Sequence, residues 1–216
     1  MQLIIISPPA DYPQEPRVVG RILQQSSATF HLRKPGRGKR ELDAYLQGIP
    51  AGLHGRIMVH GYPELLGRFA LKGVHFTEGQ RTTDPQTVGR LRRERPEARI
   101  SSSFHRLADI PAVGGPFDYV FLSPVFDSIS KAGYRAAFDH HELQRFLAAI
   151  DQKVVALGGI DGRRIGEAAA LGFVGVAVLG AVWSGNDPEK AALALAATCR
   201  KPFFDRSRQS TADCQS

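Results

Sequence analysis

The strongest constraint on this chain is the recurrence of short apolar runs, rich in β-branched residues, at intervals of roughly 20 to 30 residues. Most runs are continuously apolar, as parallel strands buried on both faces are. Between them lie segments with helical spacing of apolar residues, for example Leu143, Phe146, Leu147 and Ile150. The predicted strands cover residues 3–7, 29–33, 56–60, 73–77, 99–104, 119–124, 154–158 and 175–180.

Eight alternating β and α segments predict an α/β protein of one domain, a (β/α)8 TIM barrel over residues 1–201. A doubly wound open sheet is the alternative. Gly172 is a predicted helix stop, and Asp187-Pro188 supplies a cap and a first-turn proline for the last helix. Residues 202–216 are polar and aperiodic, and we expect a disordered tail there.

Composition predicts a soluble protein, because no apolar run approaches the roughly 18 residues of a membrane span. The opening apolar run has no basic leader and ends at Ser7-Pro8-Pro9, so we expect a cytoplasmic protein. Cys199 and Cys214 have neither a metal-ligand spacing nor a disulfide pattern, which suits a reducing compartment. We assign neither cysteine a chemical role.

The net charge of +7 is compatible with nucleic acid, with an anionic small molecule, or with solubility alone. The densest basic run, residues 90–99, contains Glu94 and Glu97 and has no aromatic residue on which a base could stack. A solvated helix face explains this run better. We therefore expect a small phosphorylated substrate and neither a nucleic acid nor a membrane as partner.

In a TIM barrel the loops after the strands build the active site, so polar residues at strand ends are the functional candidates. A lone histidine is more often structural than catalytic, but several of the chain's histidines converge on this rim. The candidates are His31, Arg33, Lys34, His60, His75, Ser103, His105, Ser123, Lys131, Gly158 and Gly159.

Two glycine-containing turns are predicted to bind phosphate through backbone amides. Gly158-Gly159 follows the seventh predicted strand and Gly180-Ala181 ends the eighth, where barrels commonly hold a phosphate. Tight strand-to-helix turns would also explain these glycines. The loop after the sixth strand carries Ser128, Ser130 and Lys131, whose hydroxyls and ammonium are suited to an anion.

Six motifs in register make the chain resemble the thiamine phosphate synthase and TenI family, from about Leu3 to Ala197. Each is short, but their common order along the barrel is specific. They are His31-Leu32-Arg33-Lys34 (family Q-x-R-x-K), Ile57 to Gly61 (an apolar strand ending in Asn-Asp), Gly73-Val74-His75 (D-G-V-H), Ser101 to His105 (G-x-S-x-H), Ser123 to Gly133 (G-P-x-x-x-T-x-T-K-x-G) and Leu157 to Ile160 (A-I-G-G-I).

The resemblance implies one of two reactions. A synthase joins a thiazole phosphate to a pyrimidine diphosphate with loss of pyrophosphate, and carboxylate-bound Mg²⁺ normally neutralises the leaving group. In this chain His60-Gly61 replaces Asn-Asp, and Glu78 is the sole candidate for the second metal carboxylate. His31 also replaces the pyrimidine-recognising Gln. We therefore expect no metal site, with Mg²⁺ required only if the chain is a synthase.

A TenI-like tautomerase, which moves a proton on a thiazole carboxylate phosphate and needs no metal pair, is favoured. His105 is the expected catalytic residue, since imidazoles exchange protons near neutral pH. The family pattern also implies a homodimer. The residues expected to bind the substrate are His31, Arg33, Lys34, His60, Ser103, Ser128, Ser130 and Lys131, with the phosphate held at Gly158, Gly159, Gly180 and Ala181.

Three alternatives remain at the level of the sequence. The first is the synthase, and the second is a non-catalytic barrel that binds a phosphorylated metabolite for regulation. The third is a more distant phosphate-binding barrel such as those of tryptophan synthesis. Such barrels share the double-glycine turn but lack the combination of Ser103-Phe104-His105 with Ser128 to Lys131.

Overall fold

The computed structural model describes residues 1–113, 115, 117–127 and 137–201, and within them the chain forms a closed barrel of eight parallel strands. This confirms the predicted TIM barrel, and the alternative of an open sheet is wrong. The predicted tail, residues 202–216, lies outside the described residues. Strands β1 to β8 are, in order, Gln2–Ile6, Thr29–Leu32, Ile57–His60, Gly73–Phe76, Arg99–Phe104, Tyr119–Leu122, Val154–Leu157 and Gly175–Val178.

Each strand ends within two residues of its predicted end, and the difference falls at the rim where backbone leaves the sheet. Two 3₁₀ helices, Ala51–Arg56 and Pro63–Gly67, flank β3, so the connection from β3 to β4 contains no α-helix. No helix in the described part of the chain is long and apolar enough to span a membrane. Helices α1 to α9 are Glu15–Gln25, Lys39–Gln47, Glu78–Thr83, Pro85–Glu94, Asp109–Val113, His140–Ala149, Arg164–Leu171, Gly180–Trp183 and Pro188–Arg200.

Strand alternation divides the apolar residues into two layers. In β1, Leu3 and Ile5 face the helices, whereas Ile4 and Ile6 face the barrel interior. The outer layer is the main core, in which fully burying a large apolar side chain contributes about 1.5–3 kcal/mol. The interior is smaller, and its apolar residues are Ile4, Ile6, Met58, Tyr119, Phe121, Val155 and Ala177.

Local sequence signals at the helix ends are confirmed. Gly172 ends α7 in the left-handed region with φ 103°, as a C-terminal glycine does. Asp187 caps α9, and Pro188 is the first residue of that helix. The basic run around α4 is largely a solvated face, with Arg90 and Arg93 exposed.

We predict that Asp187→Ala lowers the free energy of unfolding by about 1 kcal/mol, because the Asp187 carboxylate accepts a 2.9 Å hydrogen bond from the Lys190 amide that the variant leaves unpaired. Urea denaturation followed by circular dichroism measures the change. Asp151→Ala, at an exposed position outside any helix, is the control and should unfold like the wild type. Equal destabilisation by both substitutions would contradict the capping role.

Candidate active site

A cleft of about 450 Å³ opens at the rim where the carboxyl ends of the strands meet. Its floor is formed by inward-facing residues of several strands, and its wall by the loops that follow β4, β5 and β6. The lining residues are Ile6, Arg33, His60, Thr77, Glu78, Gly79, Ser103, His105, Phe121, Ser123, Leu157 and Leu179.

Four predicted substrate or catalytic residues come together in this cleft. Arg33, His60, Ser103 and His105 come from the ends of three strands, β2, β3 and β5, and all line the same cavity. Glu78, the only predicted metal candidate, lines it too. The barrel brings them together because each follows or ends a parallel strand.

His105 is held in one orientation by the loop after β6. Its Nδ1–H donates to the carbonyl oxygen of Ser123 at 3.0 Å, and the Ser123 hydroxyl lies 3.3 Å from the same nitrogen. This contact leaves Nε2 as the nitrogen available to accept a proton, 3.9 Å from a carboxylate oxygen of Glu78. The imidazole is about half exposed, so a ligand in the cleft can reach it.

A second group of imidazoles lies in the barrel interior, at and below the floor of the cleft. His31 and His75 are fully buried, and His60 lines the cleft. His31 Nδ1 lies 3.0 Å from His60 Nε2, and His31 Nε2 lies 2.7 Å from the hydroxyl of Tyr119. The His75 ring nitrogens are 2.9 Å from Ser101 Oγ and 2.8 Å from Ser103 Oγ.

Burial keeps these three imidazoles uncharged. Burial, together with the positive charge of Arg33, lowers the pKa of His75 to about 3. Burial also holds the pKa values of His31 and His60 well below the ordinary range, and the neighbouring histidines add to the effect. At neutral pH all three rings are therefore neutral hydrogen-bonding groups.

The residues of the cleft do not fit Mg²⁺. This ion needs near-octahedral oxygen ligands, normally from one or two carboxylates together with substrate oxygens. Glu78 is the one carboxylate among the described residues that line the cleft, and it lies 3.9 Å from the guanidinium of Arg81 and 3.9 Å from His105. A single carboxylate shared with a neighbouring cation is a poor magnesium ligand.

The double-glycine turn after β7 is required by its neighbours. Gly158 and Gly159 have φ values of 97° and 65°, and a Cβ on Gly159 would lie 2.2 Å from the carbonyl oxygen of Asp127. The close approach of the loop after β6 therefore explains these glycines on steric grounds. Phosphate binding by the turn is compatible with this explanation but is not required by it. Gly180 and Ala181 line an adjacent depression of about 500 Å³ between α8 and α9.

Lys34 does not face the cleft, which corrects its predicted role as a substrate ligand. Its ammonium is buried and donates to Glu15 Oε2 at 2.6 Å and to the carbonyl oxygens of Pro8 and Ala10. Tyr45 donates to the other carboxylate oxygen of Glu15 at 2.7 Å. Burial, reinforced by the charge of Glu15, raises the pKa of Tyr45, so its phenol stays protonated as a donor.

Several residues that shape the site are not among those predicted from the sequence. Tyr119 and Phe121 alternate on β6 and point into the barrel, and Ser101 holds His75 from β5. The alternation along these strands was the available signal. The predicted anion-binding residues Ser128, Ser130 and Lys131 lie outside the described residues.

Comparison with known proteins gives a consistent set of similarities. The sequence profile of a family described as thiamine monophosphate synthase matches residues 3–182. Thiamine-phosphate synthase of Chlamydia caviae is 26% identical over 200 residues, covering 90% of this chain and 92% of that protein. The corresponding enzyme of Geobacillus kaustophilus is 28% identical over 191 residues, covering 85% and 84%.

Solved structures agree with this similarity. A thiamine phosphate pyrophosphorylase from Bacteroides thetaiotaomicron superposes with a TM-score of 0.74 at 26% identity, covering 92% of this chain and 97% of that one. A thiamine phosphate pyrophosphorylase from Pyrococcus furiosus superposes with a TM-score of 0.73 at 20% identity, covering 92% and 95%, and this likeness supports the fold alone.

We predict that Lys34→Met lowers the free energy of unfolding by about 3–5 kcal/mol, because it leaves the carboxylate of Glu15 buried without its cation. Urea denaturation measures the loss, and the double variant Lys34→Met/Glu15→Gln should recover part of it. Arg37→Met is the control, since Arg37 pairs with Asp11 at the exposed surface, and its Tm should match that of the wild type. A Lys34→Met protein as stable as the wild type would contradict this role.

Proposed function

The chain belongs to the thiamine monophosphate synthase family, a family of enzymes, and from this premise we propose that it binds a thiazole phosphate in the cleft at the barrel rim and transfers a proton on it. The observation that carries the proposal is the orientation of His105 at the cleft, with Nδ1–H on the Ser123 carbonyl and Nε2 toward Glu78. This is the arrangement of a general acid–base. Such a residue is identified first by its position relative to the proton that it transfers.

The proposed reaction is a tautomerisation. Nε2 of His105 takes a proton from one position of the thiazole ring system, and the imidazolium returns a proton at another position as the double bonds shift. The proton count is unchanged, so no co-reactant is needed. Glu78 lies at a distance where its charge stabilises the transient imidazolium without taking its proton, since 3.9 Å exceeds hydrogen-bond length.

One side chain of the cleft, that of Arg33, is suited to an anionic substrate. Arg33 lines the cleft as a half-buried cation, and guanidinium groups bind carboxylate and phosphate well. We assign binding of the phosphate to the backbone amides of two turns, Gly158-Gly159 and Gly180-Ala181. We assign recognition of the thiazole ring to His60, Ser103 and the buried His31. Ser128, Ser130 and Lys131 belong to the same proposal as further anion ligands.

The second candidate is the synthase reaction. The full-length relatives named above are called thiamine-phosphate synthases, which favours this reaction over the tautomerase. The site chemistry favours the tautomerase, because the residues that line the cleft do not fit Mg²⁺ and a proton shift does not require it. Both candidates use a thiazole phosphate in the same cleft.

A product assay distinguishes the two reactions. The purified protein is incubated with thiazole phosphate and pyrimidine diphosphate, with and without Mg²⁺, and separately with the thiazole carboxylate phosphate tautomer. We expect conversion of the tautomer and no thiamine phosphate. Thiamine phosphate formed only with Mg²⁺ would establish the synthase instead, and neither product beside an active control synthase would contradict both.

For the favoured reaction we predict that His105→Asn lowers kcat by about 10²- to 10⁴-fold with little change in KM, because Asn can still donate to the Ser123 carbonyl but cannot accept the proton. Steady-state kinetics with the tautomer measure both constants. His141→Asn, on the exposed start of α6, is the matched control and should behave as wild type. Activity of His105→Asn within a few-fold of wild type would remove His105 from the mechanism.

A further inference from the structure

The barrel interior contains three imidazoles where such barrels usually pack branched apolar side chains. His31, His60 and His75 project from the adjacent strands β2, β3 and β4, and His60 and His75 are register partners. One ring nitrogen of each histidine lies within 4.8 Å of the corresponding atoms of the other two. Three neutral nitrogen donors therefore converge on one small volume.

The outer nitrogens of two of these rings are already fixed by other side chains. The Tyr119 hydroxyl lies 2.7 Å from Nε2 of His31, and the Ser101 hydroxyl lies 2.9 Å from Nδ1 of His75. These contacts orient the rings and leave two nitrogens as the candidate ligand atoms: His31 Nδ1, which contacts His60, and His75 Nε2, which contacts Ser103. Partners of this kind on the non-ligating nitrogen are typical of histidines that hold a metal.

His60 shows that the cluster is incomplete with protein atoms alone. Its Nδ1 is buried, yet within the described part of the chain it has no hydrogen-bond partner. A buried polar atom without a partner is rare and indicates a missing water, ion or ligand. The other nitrogen of this ring, Nε2, contacts His31 Nδ1 at 3.0 Å and is the atom placed to bind an ion together with His31.

We propose that His31, His60 and His75 form a binding site for a divalent transition metal ion such as Zn²⁺, with a fourth position open toward the cleft. Three histidines and one exchangeable ligand form a known zinc coordination set. With Zn–N bonds of about 2.0–2.1 Å, tetrahedral ligands lie about 3.3 Å apart. The 3.0 Å between His31 Nδ1 and His60 Nε2 already approaches this spacing, so a modest ring shift completes the set.

The donor atoms select the class of metal. Neutral imidazole nitrogen suits Zn²⁺, Co²⁺, Ni²⁺ and Cu²⁺, whereas Mg²⁺ requires oxygen. The site therefore differs from the sequence prediction that no metal would bind, and from the magnesium chemistry that the family pattern implies. Three neutral ligands leave the charge of the ion uncompensated and Arg33 adds positive charge nearby, so an anionic oxygen is the ligand that fits the open position.

The cleft gives the ion a path to this site. His60 and Ser103 both line the cavity, and the Ser103 hydroxyl lies 2.8 Å from His75 Nε2. An ion entering from the cleft therefore meets His60 first. Its binding replaces two contacts, the one between His31 Nδ1 and His60 Nε2 and the one between His75 Nε2 and the Ser103 hydroxyl. His31 and His75 then complete the site from inside the barrel.

Visible spectroscopy of the Co²⁺-loaded protein tests the proposal without any substrate, so its outcome is separate from that of the proposed reaction. The full chain is freed of metal with a chelator and titrated with Co²⁺. We expect saturation at about one ion per chain, with the intense absorption of a four-coordinate nitrogen site that Zn²⁺ abolishes and Mg²⁺ does not. A weak six-coordinate spectrum, or no saturation, would overturn the proposal whatever the enzymatic activity.

His60→Gln adds a second test, since it removes one ligand at the edge of the cleft and keeps a polar side chain. We expect Co²⁺ affinity to fall at least about tenfold while the circular dichroism spectrum is unchanged. The double variant His140→Asn/His141→Asn removes two adjacent exposed histidines and should bind as wild type. Binding retained in His60→Gln and lost in the double variant would assign the ion to the surface. If His60→Gln does not fold, the visible spectrum of the Co²⁺-loaded wild-type protein tests the proposal by itself.

Discussion

Closure of the barrel between its first and last strands is the constraint on which the rest of the structure depends. β1 pairs with β8 from Gln2 opposite Gly175 to Ile5 opposite Val178, and the indole of Trp183 donates to the Ile6 carbonyl at 2.8 Å. Because the ring is closed and parallel, all eight carboxyl ends share one rim. Residues far apart in the chain thereby become neighbours around one cleft.

The interior of this ring has two chemically different parts. Aliphatic and aromatic residues fill one part, and the three imidazoles with their serine and tyrosine partners fill the other, beneath the cleft. Burying these rings is tolerated because they are neutral and largely hydrogen-bonded. One of the three rings, that of His60, stands with Gly61 where the family pattern has Asn-Asp, so at this position the available donor changes from oxygen to nitrogen.

The rim is supported by groups that do not touch the cleft. Lys34 ties the loop after β1 to the start of α1 through Glu15 and two backbone carbonyls. The glycine turn after β7 allows the loop after β6 to pack closely, and that loop in turn holds His105. The candidate proton-transfer residue is therefore positioned by backbone packing, which is more rigid than a contact between two flexible side chains.

The sequence by itself determined the strands and the helix ends at Gly172 and Asp187, because hydrophobic period and capping are local properties. It favoured a closed barrel over an open sheet, and the pairing of β1 with β8 decided between them. Only the tertiary structure decided that Lys34 turns away from the cleft. Consecutive residues at a strand end point to opposite sides, and the partner carboxylate comes from a distant helix. The same holds for the three imidazoles: their direction follows from alternation, but their convergence depends on the register and curvature of the closed sheet.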